Sequence, residues 1–257
     1  MKNFQYLFIS VLAVLSFYLT EKVMIYLENK NPLMQEITEK AVFYEQNYMD
    51  ALIKDNTIIP GVNGKVINRR KSYIKMGEFG SFNETFLIYD EITPKVSLKA
   101  HLDKIIISGN TVKRAVSLLL EPNAKLEEYL DKANINYNII TNLKTDFQIK
   151  REYLLGEKSP EAIGDLNALL TRNKINSKIC LIDYANLDYC REKQYYLVSP
   201  NVTTEANITR VLSQIKSGSI ILIKAQLSLE NLNLILNELQ RQDLKTVYLS
   251  TLLSESN

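Results

Sequence analysis

Ile215-Lys-Ser-Gly-Ser-Ile-Ile-Leu-Ile-Lys-Ala225 is followed by Leu232, Leu236 and Leu239 at helical spacing, and then by Leu244-Lys-Thr-Val-Tyr-Leu-Ser-Thr-Leu-Leu253. This stretch reads as a buried strand, an amphipathic helix, a second strand and a short final helix. Ser219 to Ile223 has no polar alternation, so both of its faces are expected to be covered. Ser228 is placed to cap the helix that follows.

Upstream the same grammar repeats. Ile105–Ser108, Val116–Leu120, Ile135–Ile140, Lys178–Ile182, Tyr195–Val198 and Thr246–Leu249 are short apolar runs. Amphipathic segments lie between them: Ala124–Ala133, a helix opened by Ser159-Pro160-Glu161, and one expected from Thr203 or Thr204 to Lys216. Short apolar strands alternating with helices imply an α/β fold with a parallel sheet and helices outside it.

Before residue 110 the texture differs. Pro60-Gly61 and Asn63-Gly64 are turn signals, and Asn63-Gly64 is expected to make a hairpin. Ser72 is expected to cap a short helix, and Phe86–Tyr89 reads as a strand. Residues 51–110 are therefore a turn-rich β leader module, and 21–50 a polar, partly helical stalk. Asn3 to Thr20 carries no charge, close to the roughly 20 apolar residues that a membrane helix needs. Lys2 precedes it, which favours the N-terminus inside. No A-x-A-like site follows Ser16, so residues 1–20 are expected to be an uncleaved signal anchor. The expected address is the plasma membrane, single-pass, with the C-terminal domain outside the cytoplasm.

The chain has one histidine, His101, in 257 residues. Two-histidine zinc sites and Ser-His-Asp or H-E-x-x-H chemistry lack support. His101 lies beside Lys99 and Asp103 and is expected to be a surface or linker residue. Basic and acidic residues number 31 and 29, which leaves no electrostatic footprint for nucleic acid. No G-x-G-x-x-G or Walker loop is present, so no nucleotide is expected, and no cofactor. Cys180 and Cys190 are too few for a disulfide scaffold or a zinc ribbon. They form either one bridge in an oxidising compartment or two buried thiols.

The stretch 215–253 resembles the closing segment of polysaccharide deacetylases, and Val116-Ser-Leu-Leu-Leu-Glu-Pro122 resembles their first barrel strand. Ile59–Val66, Lys71–Met76, Lys104–Asn110 and Ile179–Pro200 are similar to a divergent, membrane-anchored Firmicutes branch of that family. The resemblance, over roughly residues 55–255, implies a distorted (β/α) barrel at 111–257, with its site at the C-terminal strand ends. It also implies that the chemistry is gone. The family's general-base Asp falls on Glu121, and its metal-ligating Asp on Pro122. The late His falls on Lys224 and the neighbouring Asp on Ala225. No His lies between 145 and 170, where the two metal-binding histidines belong. Asp146, Asp165, Asp183 and Asp188 match no metal spacing, so no metal site is expected.

The expected protein is thus an envelope pseudoenzyme that binds glycan or a partner protein. Tyr184, Tyr189, Tyr195 and Tyr196 are the candidate sugar-stacking residues, set against a plain packing role. An active deacetylase or other carbon–nitrogen hydrolase with a non-standard site, built on Glu121 and Lys224, is the first alternative. A scaffold of wall assembly is the second.

Overall fold

The structure is a computed structural model describing residues 2–144, 151–205 and 207–256, without the side chains of 2–5 and 7–10. In chain order it contains helices α1 (Lys2–Lys30) and α2 (Pro32–Ala41), then strands β1 (Leu52–Lys54), β2 (Thr57–Ile59) and β3 (Gly64–Ile67). Helix α3 (Arg69–Gly77) and strands β4 (Tyr89–Ile92), β5 (Ile105–Ile106) and β6 (Ala115–Leu120) follow. Next come α4 (Ala124–Lys132), β7 (Asn138–Thr141), β8 (Glu152–Leu155), α5 (Pro160–Arg172), β9 (Ile179–Leu181) and α6 (Leu187–Glu192). The chain closes with β10 (Tyr196–Val198), β11 (Val202–Thr203), α7 (Ile208–Gln214), β12 (Ile220–Ile223), α8 (Leu229–Arg241), β13 (Lys245–Thr246) and α9 (Leu249–Leu253).

The chain packs as two compact units, 1–47 with 64–92 and 48–63 with 93–257. The expected leader, 51–110, is divided between them. The smaller unit pairs β3 with β4 antiparallel and buries Leu33, Ile37, Met76 and Leu87. Its α1 takes in the expected anchor and runs on into the stalk. Among the residues whose side chains are described, no helix is long and apolar enough to cross a membrane; part of the uncharged run lies outside them.

The larger unit holds one sheet in the order β1-β2-β5-β10-β9-β8-β7-β6-β12-β11, with β13 also beside β6. Only β1–β2 is antiparallel; every other pairing in the sheet is parallel. The sheet is two-faced because side chains alternate along each strand. In β6, Val116, Leu118 and Leu120 face a layer with Leu126, Leu166, Val211 and Ile235 of the helices. Ala115 and Leu119 face the other way, onto Ile140, Leu154, Leu181, Val198 and Leu222, against which Leu249 and Leu252 pack. Residues 111–257, expected to form a distorted (β/α) barrel, build most of a curled half-barrel with helices outside. It also includes β1, β2 and β5.

Several local expectations change. The tight turn of the β1–β2 hairpin is at Asp55, in the left-handed region at φ 52, while Asn63-Gly64 leads into β3. Ser72 lies inside α3, where its hydroxyl accepts from the Ile88 N–H (2.9 Å), and Asn68 is the cap. Thr203 caps no helix. Val202 and Thr203 extend to pair with Ile221 and Leu222, and Asn207 caps α7 instead. Strand β8 answers to no run recognised in the sequence. Gly218, at φ 84, turns the chain into β12, where a Cβ would stand 2.4 Å from the Gly109 carbonyl oxygen.

Candidate functional site

Register decides the site. Leu120 is opposite Ile223, so the residues one step beyond each strand, Glu121 and Lys224, emerge side by side at the C-terminal end of the sheet. Tyr184 reaches the same place from the turn after β9, and Glu205 from the end of β11. Glu121 Oε2 accepts from the Ala225 N–H (2.9 Å). Its Oε1 accepts from the Tyr184 hydroxyl and from Lys224 Nζ (3.1 Å). Lys224 Nζ also donates to the Tyr184 oxygen (2.7 Å) and lies 2.7 Å from Glu205 Oε1.

Burial pushes the Glu121 carboxyl up, but the hydrogen bonds from Tyr184, the Ala225 N–H and Lys224 outweigh it and hold it below the ordinary carboxylate value. Glu205, then Tyr184, raise the Lys224 ammonium against its desolvation. Burial, then Glu121, raise the Tyr184 phenol. Each group is held in its neutral-pH form, so the cluster is a locked ion pair. An acid–base couple would need its pKa values drawn toward neutrality.

A cavity of about 530 Å³ opens here, lined by Glu121, Tyr184, Thr203, Glu205 and Lys224, with Lys158 and Asp183. The Thr203 hydroxyl is buried and has no hydrogen-bond partner among the described residues. The zinc of the polysaccharide deacetylases that the sequence resembles does not fit these residues. Glu121 is saturated by donors, an ammonium stands 3.1 Å from its Oε1, and Pro122 and Ala225 offer no side-chain ligand. No cluster of three His, Cys, Asp or Glu able to hold a metal occurs among the described residues.

The four tyrosines do not share one site. Tyr184 is at the mouth. Tyr189 and Tyr195 meet edge to face, 6.4 Å between centroids, and pack against the helix-side core, because α6 and the start of β10 turn those rings outward. Tyr196, one residue further along β10, points to the opposite face and lines a cavity at the N-terminal strand ends. Cys180 and Cys190 are joined in a disulfide. His101 is half-buried, its Nδ1 2.9 Å from the Ser97 carbonyl oxygen. Asp165 and Asp188 lie apart on α5 and α6, and Asp146 is outside the described residues. Sequence reading missed Glu205 and Thr203, since taking Thr203 as a helix cap hid the strand end that delivers both.

Among solved structures, a family 4 carbohydrate esterase pseudoenzyme from Bacillus anthracis superposes with a TM-score of 0.62 at 18% identity, covering 88% of this chain and 96% of that one. The fold is that of this pseudoenzyme. A mutant of it with restored enzymatic activity superposes with a TM-score of 0.60, also at 18% identity, over 88% of this chain and 99% of that one. An uncharacterized Bacillus subtilis protein, YlxY, is 38% identical over 105 residues, which is 40% of this chain and 33% of that protein. The match thus spans about a third of the curated relative's length. No protein-family model matches the chain.

Proposed function

We propose that this chain is a catalytically silent relative of the polysaccharide deacetylases, anchored in the plasma membrane and working outside the cytoplasm by binding glycan or a partner protein. The observation that carries the reading is the Lys224 ammonium, bonded to Glu121, Tyr184 and Glu205 at the strand ends where the resemblance puts the family's metal and acid. The pseudoenzyme character of the B. anthracis structure supports it. The uncharged run Asn3–Thr20 supports the anchor, and the Cys180–Cys190 bridge supports an oxidising compartment.

The test is sedimentation of the detergent-solubilised full chain with purified peptidoglycan and chitin, with acetate measured in the supernatant. Saturable co-sedimentation without acetate is the expected result. Release of acetate would overturn the silent reading and restore a hydrolase with a non-standard site. Absence of binding to either polymer would remove the glycan and leave the partner protein, to be sought by crosslinking at the membrane.

A further inference from the structure

A second cavity, of about 700 Å³, lies at the other end of the same sheet. Glu152, Lys178 and Tyr196, at the N-terminal ends of β8, β9 and β10, form one wall. Segment 94–99 and the end of α9 with the residues after it form the others. In (β/α) barrels this end is ordinarily a packed, stabilising face. Here Leu249 and Leu252 are fully buried, but the space beside Leu253 stays open.

The walls have a definite chemistry. Pro94, Leu98, Leu253 and the Tyr196 ring supply apolar surface, and the charges of Lys99 and Lys178 balance those of Glu152 and Glu255. Both carboxylates are tied into the frame. Glu255 Oε1 accepts from the Leu98 N–H (2.7 Å) and the Gly61 N–H (3.1 Å). Glu152 Oε2 accepts from the Ser250 N–H (3.1 Å). The half-buried Tyr196 hydroxyl and, at the exposed rim, the Asn176 amide and the Ser250 hydroxyl make no hydrogen bond among the described residues. Burial, and then Glu255, raise the Tyr196 phenol, so it stays a donor at neutral pH.

A charge-balanced cavity with an aromatic face and free neutral donors and acceptors suits a ligand with an apolar ring face and hydroxyl edges. We propose that this cavity binds a neutral saccharide, at a site separate from the C-terminal mouth. The site itself rests on the cavity alone; the choice of an N-acetylated probe rests on the function proposed above.

The experiment is calorimetric titration of the detergent-solubilised full chain with the tetramer of N-acetylglucosamine and, separately, maltotetraose. Saturable binding of at least one is expected. Asn176→Trp, a rim substitution that fills the cavity, should abolish it. Tyr196→Phe should weaken it about five- to tenfold by removing one hydrogen bond. Circular dichroism melting confirms that each variant is folded. Binding of neither sugar, or undiminished binding in folded Asn176→Trp, overturns the proposal. Loss of binding in Lys224→Met with retention in Asn176→Trp moves the sugar to the mouth, overturning this site while sparing the proposed function.

Discussion

Glu121 and Lys224 are largely covered, with side chains 20% and 17% exposed, so the pair acts on stability more than a surface ion pair does. Lys224→Met leaves Glu121 with Tyr184 and the Ala225 N–H but without its counter-ion. A loss of about 1–3 kcal/mol is expected, read from the urea midpoint at pH 7. The pH dependence has a definite sign. A carboxyl lowered on folding stabilises above its unfolded pKa of about 4.3, and that contribution fades as pH falls through the lower folded value. The stability gap between wild type and Glu121→Gln should therefore be constant from pH 7 to about 5 and close at lower pH; a gap that widened with acid would contradict the assignment. The juxtaposition of these two residues was legible through the family resemblance, which sets both at strand ends facing one mouth. Glu205 was not, since nothing in Val202-Thr203-Thr204-Glu205 distinguishes a two-residue strand from a helix start.

The elements are held by a few buried polar links. Asn138 of β7 is fully buried; its Nδ2 donates to the Ser117 hydroxyl (2.7 Å) and the Leu118 carbonyl (2.9 Å), and its Oδ1 accepts from the Leu249 N–H (3.0 Å). It thereby fastens α9 to two neighbouring strands. Asn138→Leu strands these partners, and a cost of about 2–4 kcal/mol is expected in denaturant unfolding. The disulfide joins β9 to α6 across ten positions. Replacing both cysteines by serine should cost about 3 kcal/mol for a loop this short, and alkylation of the unreduced protein should find no free thiol. Helices were the easiest elements to anticipate. Ser159 with Pro160, and Ser228, cap α5 and α8 as their sequences suggest. The strands were harder: β11 is two residues long and carries no period of its own, and β8 answered to no apolar run recognised in the sequence.

At the scale of the whole molecule, the parallel α/β class was legible from alternating apolar runs and amphipathic helices. The membership of β1 and β2 was not, because Ile58 looks like a leader residue until β2 and β5 are seen side by side. A chain beginning at Thr111 should therefore be insoluble when expressed, having bared the edge of β10 and the apolar face that Ile58 and Ile106 cover; a soluble, monomeric product in size-exclusion chromatography would count against this sheet. Strand order also sets a timetable. Ser117 pairs with Ile220 and Val116 with Thr246, so one flank of β6 stays without partners until the last part of the chain exists. Such distant pairings fold slowly, on millisecond-to-second scales. Because ribosomes deliver the N-terminus first, every nascent chain passes through an interval with a bare apolar strand, and any product stopped before residue 220 remains in it. The protein should accordingly lean on holding chaperones during synthesis more than a locally paired protein of its length.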